Sequence, residues 1–215
     1  MISHSKKFVH IHLVKTGGTS RNKILSQYYQ KAFRRDGCII IPSPDQPPAE
    51  EMRYFVNENF GKLDNYFKFT FVRNPWDLVV SWFRERMVQS GRGRKIYKDS
   101  PSSFQKYIRQ LKNKSLPYYS EVTYDYLQNQ LSFLTKDGAL FVDFIGKFET
   151  LDEDWKHVAE KLGIEQELPY LRSSTNETTL HYSKYYDEES KEIIKDLYKK
   201  DIEYFGYTFD KKLYD

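Results

Sequence analysis

Hydrophobic and polar positions along the chain alternate between short apolar runs and longer stretches in which apolar residues recur at helical spacing. The short runs predict strands at residues 8–14, 38–41, 68–73 and 140–145. Helical spacing predicts helices at residues 21–32, 49–60, 75–83, 104–111, 124–134 and 151–162, and a last one from about 187. Strands that alternate with helices predict an α/β fold, in which a central parallel β-sheet is flanked by helices.

The first predicted strand leads into a polar turn, called the Lys15 loop below. The loop consists of Lys15, Thr16, Gly17, Gly18, Thr19 and Ser20. A strand that turns into a helix N-terminus brings unpaired backbone N–H groups and the positive end of the helix dipole together, which suits an anion. The two glycines allow close backbone approach, the lysine adds a charge, and the three hydroxyl side chains add donors. A Walker A loop has its glycines before the lysine, so this order predicts a phosphate loop of another kind.

A second polar corner follows the third predicted strand. Arg73 ends that strand, Asn74 and Pro75 supply a helix N-cap and a first-turn proline, and Ser81 follows Arg73 by eight residues. A guanidinium fork with a hydroxyl nearby could hold a second phosphate. Ligands of parallel α/β sheets bind beyond the carboxyl ends of the strands, so we expect this corner to lie near the Lys15 loop.

With these two motifs, the chain resembles the sulfotransferases that use 3′-phosphoadenosine 5′-phosphosulfate (PAPS), in particular the carbohydrate (heparan/chondroitin-type) branch. Further similar stretches are Ile145–Leu151, Leu168–Asn176 and Asp201–Phe209, so that the resemblance runs from Phe8 to Phe209. It implies a P-loop-like sulfotransferase fold and sulfuryl transfer from PAPS to a hydroxyl of an acceptor, which is expected to be a carbohydrate. It implies no metal.

The resemblance also assigns roles to residues of this chain. The Lys15 loop would hold the 5′-phosphosulfate, and Lys15 would stabilise the leaving phosphate in an in-line displacement. Arg73 and Ser81 would hold the 3′-phosphate. A loop around residues 172–176 would close over the nucleotide.

The catalytic base departs from the family pattern. Many members carry a histidine ahead of the arginine, whereas Gln46 occupies that position here, and glutamine cannot act as a base. Alternative bases are the carboxylates Asp45, Glu50 and Glu51, and also His12, which precedes Lys15 by three residues on the incoming strand. Among these, Glu51 and His12 are the preferred candidates.

Composition limits the protein class. The 215 residues predict a single domain spanning 1–215, and a net charge of +4 permits anionic ligands without requiring nucleic acid. The single cysteine, Cys38, excludes an intramolecular disulfide and a cysteine-based zinc site. No apolar run is long enough to span a membrane and no signal peptide is evident, so we expect a cytoplasmic location.

Two other functions remain open from the sequence. The missing histidine is compatible with a non-catalytic module that binds a nucleotide or a sulfated glycan. A divergent nucleotide kinase would need Mg²⁺ and a Walker-type order. The basic stretch Arg84–Lys98 is expected to be a solvated loop, or alternatively a loop that contacts an anionic acceptor.

Overall fold

The computed structural model describes residues 1–28, 49–89, 95–116, 129–169 and 180–210, without the side chains of residues 49–51 and 86. The described strands are β1 (Ile2–Ser3), β2 (Phe8–Ile11), β3 (Phe67–Val72), β4 (Thr135–Lys136), β5 (Ala139–Leu140) and β6 (Phe144–Lys147). The described α-helices are α1 (Gly18–Leu25), α2 (Ala49–Asn59), α3 (Pro75–Phe83), α4 (Pro101–Lys112), α5 (Leu151–Leu162), α6 (Glu188–Leu197) and α7 (Lys199–Phe205). The predicted strand at 38–41, residues 124–128 of a predicted helix and the 172–176 loop lie outside the described residues.

The main sheet has four strands in the order β1-β2-β3-β6. β2, β3 and β6 run parallel, with His10 opposite Phe69 and Phe69 opposite Phe144. β1 pairs antiparallel with β2 at the edge, which the hydrophobic pattern did not predict. The predicted α/β class with a mainly parallel sheet is confirmed.

Both faces of the parallel strands β2 and β3 are buried. On one face, Phe8, Phe69 and Phe71 form a core with residues of α1 and α5, namely Ile24, Leu25, Trp155, Val158 and Leu162. The alternate positions of the same strands are also buried: Val9, Ile11, Thr70 and Val72. Burial on both faces explains why these strands read as continuous apolar runs rather than as alternating patterns.

The chain divides into two compact units. The first contains Met1–Arg73 and Gln130–Arg172, and therefore the sheet with α1, α2 and α5. The second contains Asn74–Asn129 and Ser173–Asp215. In this second unit, Phe83 packs against the rings of Phe104 and Tyr107, and Arg109 of α4 pairs with Asp187 at the start of α6. The prediction of a single domain stays a prediction.

The fourth predicted strand was misplaced. Residues 140–145 were expected to form one strand, but Leu140 pairs with Thr135 in a separate hairpin. Asp137 and Gly138 both have positive φ, 49° and 82°, which is typical of a two-residue hairpin turn. The sheet strand β6 begins only at Phe144.

The basic stretch after α3 is not the solvated loop that was expected throughout. Arg84–Gln89 continues α3 as a π-helix, and Arg84 Nε lies 3.0 Å from Asp99 Oδ2. Residues 90–94 lie outside the described residues. The ion pair therefore ties the start of the stretch to its end, within the second unit.

Candidate functional site

The Lys15 loop reverses the chain between β2 and α1 by two left-handed residues. Lys15 has φ 61° and Gly17, the N-cap of α1, has φ 78°. A Cβ at Gly17 would lie 3.0 Å from Leu151 Cδ2 and 3.2 Å from the Phe148 ring, so glycine meets both a conformational and a steric demand there. α1 begins at Gly18, directly after this turn, and no side chain caps its N-terminus.

Gly18 is required for a different reason. A Cβ at this position would lie 2.1 Å from Nε2 of His12, so the backbone of the loop packs directly on the imidazole. The other ring nitrogen of His12, Nδ1, is 3.4 Å from Nδ2 of Asn22 on α1. His12 is half-buried, and both ring nitrogens face protein groups. This environment gives His12 a packing role under the loop.

The three hydroxyl residues of the loop differ in exposure. Thr16 is fully buried, and its hydroxyl donates to the carbonyl oxygen of Leu13 at 2.8 Å. It therefore does not offer the hydroxyl donor to a ligand that we expected from the sequence. Thr19 is exposed and Ser20 is half-buried. Among the hydroxyl groups of the loop, those of Thr19 and Ser20 therefore remain as candidate donors to a ligand.

Arg21 braces the loop from below. Its side chain is fully buried, with Cζ 4.0 Å from the centre of the Phe71 ring. Nη1 donates to the carbonyl oxygen of Thr16 at 2.5 Å, and Nη2 donates to the Thr16 hydroxyl at 3.1 Å. Burial lowers the pKa of Arg21 to about 9. Sequence reasoning had treated this residue only as the start of a helix.

Arg73 joins the two predicted motifs. It directly follows β3, is 7% exposed, and donates from Nη1 to the carbonyl oxygen of Lys15 at 2.9 Å. Its Cζ lies 4.0 Å from the centre of the Phe148 ring. The guanidinium is thus held between an aromatic face and the Lys15 loop, at the carboxyl ends of β2 and β3.

Gln130 holds the backbone of Arg73. Its Oε1 accepts from the Arg73 N–H at 2.9 Å, and its Nε2 donates to the Arg73 carbonyl oxygen at 2.8 Å. Gln130 is buried. Sequence reasoning missed it, because no local signal distinguishes it within a predicted helix. Phe148 lies in the stretch Ile145–Leu151 that resembles the family, but nothing in the sequence indicates its contact with Arg73.

The remaining predicted site residues are placed as follows. Ser81 lies on α3 in the second unit and is half-buried. The start of α3 is confirmed: Asn74 is the N-cap, accepting from the Trp76 N–H at 3.1 Å, and Pro75 is the first helical residue. Glu51 lies on α2, but its side chain is outside the described residues, as are Asp45 and Gln46.

His10 adds a buried titratable group next to the loop. It is fully buried and stacks on Phe69 and His12, with ring centroids 4.9 and 5.9 Å apart. Neither ring nitrogen has a hydrogen-bond partner among the described residues. Burial, and then the charge of Arg21, lower the pKa of His10 well below 6.5. The ring is therefore neutral in the folded protein.

The described residues contain no group of histidine, cysteine, aspartate or glutamate side chains that could hold a metal ion. None of their helices combines the length and the apolar character needed to cross a membrane.

Comparison with known proteins points to one family. A model of the sulfotransferase family matches residues 1–208. The chain is 27% identical over 172 residues to carbohydrate sulfotransferase 10 of Xenopus laevis, covering 68% of this chain and 48% of the relative. It is 27% identical over 177 residues to carbohydrate sulfotransferase 9 of Homo sapiens, covering 69% and 39%. It is 26% identical over 181 residues to carbohydrate sulfotransferase 11 of Mus musculus, covering 73% and 51%.

These matches span about half of the length of the relatives or less. No solved structure matches the chain significantly.

Proposed function

Because the chain belongs to the sulfotransferase family, we propose that it transfers a sulfuryl group from PAPS to a hydroxyl group of a carbohydrate acceptor. The contact between Arg73 Nη1 and the Lys15 carbonyl oxygen, 2.9 Å, is the observation that carries this proposal. It joins a helix N-terminal anion loop to a buried guanidinium, which is what a ligand with two separate phosphate-type groups requires. A P-loop-like arrangement of the fold is part of the proposal.

The residues present fit such a ligand. The Lys15 loop offers backbone N–H groups, a lysine, and the hydroxyl groups of Thr19 and Ser20 for the 5′-phosphosulfate. The absence of a Cβ at Gly17 and Gly18 keeps the backbone close to its neighbours. Arg73 is proposed to hold the 3′-phosphate, and the resemblance assigns Ser81 to the same phosphate.

The chemistry follows from these roles. PAPS supplies an activated sulfuryl group, whose bond to a phosphate oxygen breaks as the acceptor hydroxyl oxygen bonds to sulfur. Lys15 stabilises the negative charge that develops on the leaving phosphate. Removing one such preorganised electrostatic contact lowers the rate by about 10²–10³-fold. The helix dipole of α1 acts in the same direction as Lys15.

The acceptor hydroxyl must lose its proton to a base. Both ring nitrogens of His12 face protein groups, so His12 is better placed to pack against the loop than to accept a proton from the acceptor. We therefore assign the base to Glu51 rather than to His12.

A binding titration tests the proposed donor. Calorimetry should show that 3′-phosphoadenosine 5′-phosphate (PAP) binds without Mg²⁺, and that Arg73→Ala and Ser81→Ala lose affinity for PAP but not for adenosine 5′-phosphate. Tight binding of ATP with no preference for a 3′-phosphate would overturn the proposal in favour of a kinase.

A second experiment tests the acceptor. Radiolabelled PAPS should sulfate at least one member of a panel of glycans, and Lys15→Met should lower the rate of transfer about 10²–10³-fold. PAP binding without transfer to any glycan, peptide or small hydroxyl compound would instead indicate a non-catalytic binding module. The cytoplasmic location stays a prediction.

A further inference from the structure

A buried positive charge lies beneath the Lys15 loop. The guanidinium of Arg21 is fully buried, and both of its hydrogen bonds end on Thr16. Its Nε has no hydrogen-bond partner, and within the described ranges no carboxylate pairs with it. Its other neighbour is the ring of Phe71. The charge is therefore solvated by one peptide group, one hydroxyl and one aromatic face.

Such an arrangement is unfavourable in the free protein. A buried charge is normally paired with an opposite charge or fully hydrogen-bonded. The lowered pKa of Arg21 follows from this same burial. An apolar side chain of similar length, such as methionine, would avoid the burial of a charge. The charge, however, lies directly beneath the Lys15 loop, where a bound anion could interact with it.

We propose that Arg21 is a second cation of the anion site, acting through the Lys15 loop without touching the ligand. Its bonds to Thr16 put the charge next to the peptide that links Lys15 to Gly17. Because the guanidinium is shielded from water, its field on the loop is weakly screened. The 5′-phosphosulfate of a bound donor would supply the negative charge that Arg21 lacks. This inference rests on the proposed function.

The alternative is that Arg21 only braces Thr16 by hydrogen bonds. Three substitutions separate the two roles. Arg21→Lys keeps the charge but cannot span both acceptors on Thr16. Arg21→Gln keeps hydrogen-bond donors but loses the charge. Arg21→Met loses both.

Lys6→Met is the matched control. It removes the same net charge from the same unit, but at the opposite end of β2. There Lys6 Nζ donates to the carbonyl oxygens of Leu162 and Gly163, at 3.1 and 3.0 Å.

The experiment is calorimetric titration of each variant with PAP and with adenosine 3′-phosphate, after circular dichroism has shown that the variant is folded. We expect Arg21→Met and Arg21→Gln to weaken PAP binding about tenfold or more, because one weakly screened charge at loop distance contributes at least that much. Arg21→Lys and Lys6→Met should keep most of the affinity. Adenosine 3′-phosphate lacks the group that the loop would hold, so its binding should change little.

The outcomes are distinct. Wild-type affinity for PAP in Arg21→Gln would overturn the role of the charge and leave Arg21 only its hydrogen bonds to Thr16. Equal losses in Arg21→Lys and Arg21→Gln, or an equal loss in Lys6→Met, would also overturn it. If Arg21→Met does not fold, the comparison of the lysine and glutamine variants still decides. No PAP binding by the wild-type protein would overturn the proposed function, and this inference with it.

Discussion

The guanidinium of Arg73 donates a hydrogen bond from Nη1 to the carbonyl oxygen of Lys15, across 2.9 Å and 58 positions of sequence. Each residue belongs to a different motif and follows a different parallel strand. The bond uses a side chain of one motif to hold the backbone of the other. It also holds Lys15 in its left-handed conformation, φ 61°, which few non-glycine residues adopt. The hydrogen bond therefore fixes Arg73 and the Lys15 loop to each other within the first unit.

The first prediction concerns the geometry of this bond. Arg73→Lys keeps the charge but loses the planar group that reaches Lys15 while stacking on Phe148. We expect PAP to bind about tenfold more weakly or worse, because a hydrogen bond to a charged group contributes roughly 1.5–3 kcal/mol. Calorimetry measures the change. Arg53→Lys is the control, since Arg53 stacks on Phe133 at 4.8 Å without being assigned to the site. Equal losses in the two variants would contradict the prediction.

The second prediction concerns Gln130, which pairs with both backbone groups of Arg73. Gln130→Leu leaves a buried N–H and a buried C=O without this partner. Each such loss costs about 1–3 kcal/mol, so we expect the free energy of unfolding to fall by about 2–5 kcal/mol. Urea denaturation measures it. Gln27→Leu, at an exposed glutamine, should change it by less than about 0.5 kcal/mol. An unchanged free energy of unfolding in Gln130→Leu would show that the two hydrogen bonds between Gln130 and the Arg73 backbone do not stabilise the fold.

The third prediction tests the contact between the loop and His12. Gly18→Ala would bring a methyl group to 2.1 Å from His12 Nε2, so the loop or the ring must shift. Overpacking of this kind costs about 1–3 kcal/mol of stability. Adding His12→Ala removes the obstacle, so the double variant should lose less stability than the two single variants summed.

Thermal unfolding and PAP titration of the four proteins complete this cycle. Gly61→Ala is the control, because no atom of the described residues, apart from the chain neighbours of Gly61, lies within 4 Å of a Cβ at this position. The loss of stability in Gly61→Ala arises only from the positive φ of Gly61, 74°, and adding His12→Ala should not reduce that loss. Strict additivity of Gly18→Ala and His12→Ala would refute the steric explanation.

The fourth prediction is a pH dependence of stability. His10 is buried, and its folded-state pKa is depressed well below 6.5, first by burial and then by Arg21. The unfolded chain therefore takes up a proton near pH 6.5 that the folded protein excludes. The stability conferred by the neutral ring is complete above pH 6.5 and is lost as the pH falls below it. The slope is about 1.4 kcal/mol per pH unit.

Urea midpoints between about pH 5 and pH 8 measure this slope. His10→Phe keeps an aromatic ring against Phe69 and cannot titrate, so the difference from the wild-type protein isolates His10. The same slope in both proteins would assign the pH dependence to other groups.

The sequence predicted those parts of the site that are determined by short stretches of neighbouring residues. The glycine turn before α1, the end of β3 to within one residue, and the Asn74–Pro75 start of α3 follow from turns, caps and apolar runs. The burial of Thr16 was not predictable, because its partner Arg21 reads as a polar surface residue in sequence. Buried polar pairs carry no periodic signal.

Contacts between residues far apart in the sequence were also not predictable. Gln130 contacts Arg73 across 57 positions, and only the folded chain brings them together. The β4–β5 hairpin was missed because each of its strands has only two residues, and Leu140 reads as the start of the apolar run 140–145. Pattern reasoning therefore recovered the turn between β2 and α1 but not the residues that hold it in shape.

The last prediction assigns the base by comparing two variants. Glu51→Gln removes a carboxylate without changing its size, and we expect kcat to fall about 10²–10⁴-fold. The acidic limb of the pH–rate profile should disappear with it, because that limb reports protonation of the base. His12→Asn should instead raise the KM for PAPS and keep the limb, since His12 packs against Gly18 and Asn22. Glu58→Gln, at an exposed position on the same helix, is the control and should change neither parameter. Loss of the acidic limb in His12→Asn but not in Glu51→Gln would reverse the assignment. An unchanged profile in both variants would exclude both residues and direct attention to Asp45 and Glu50.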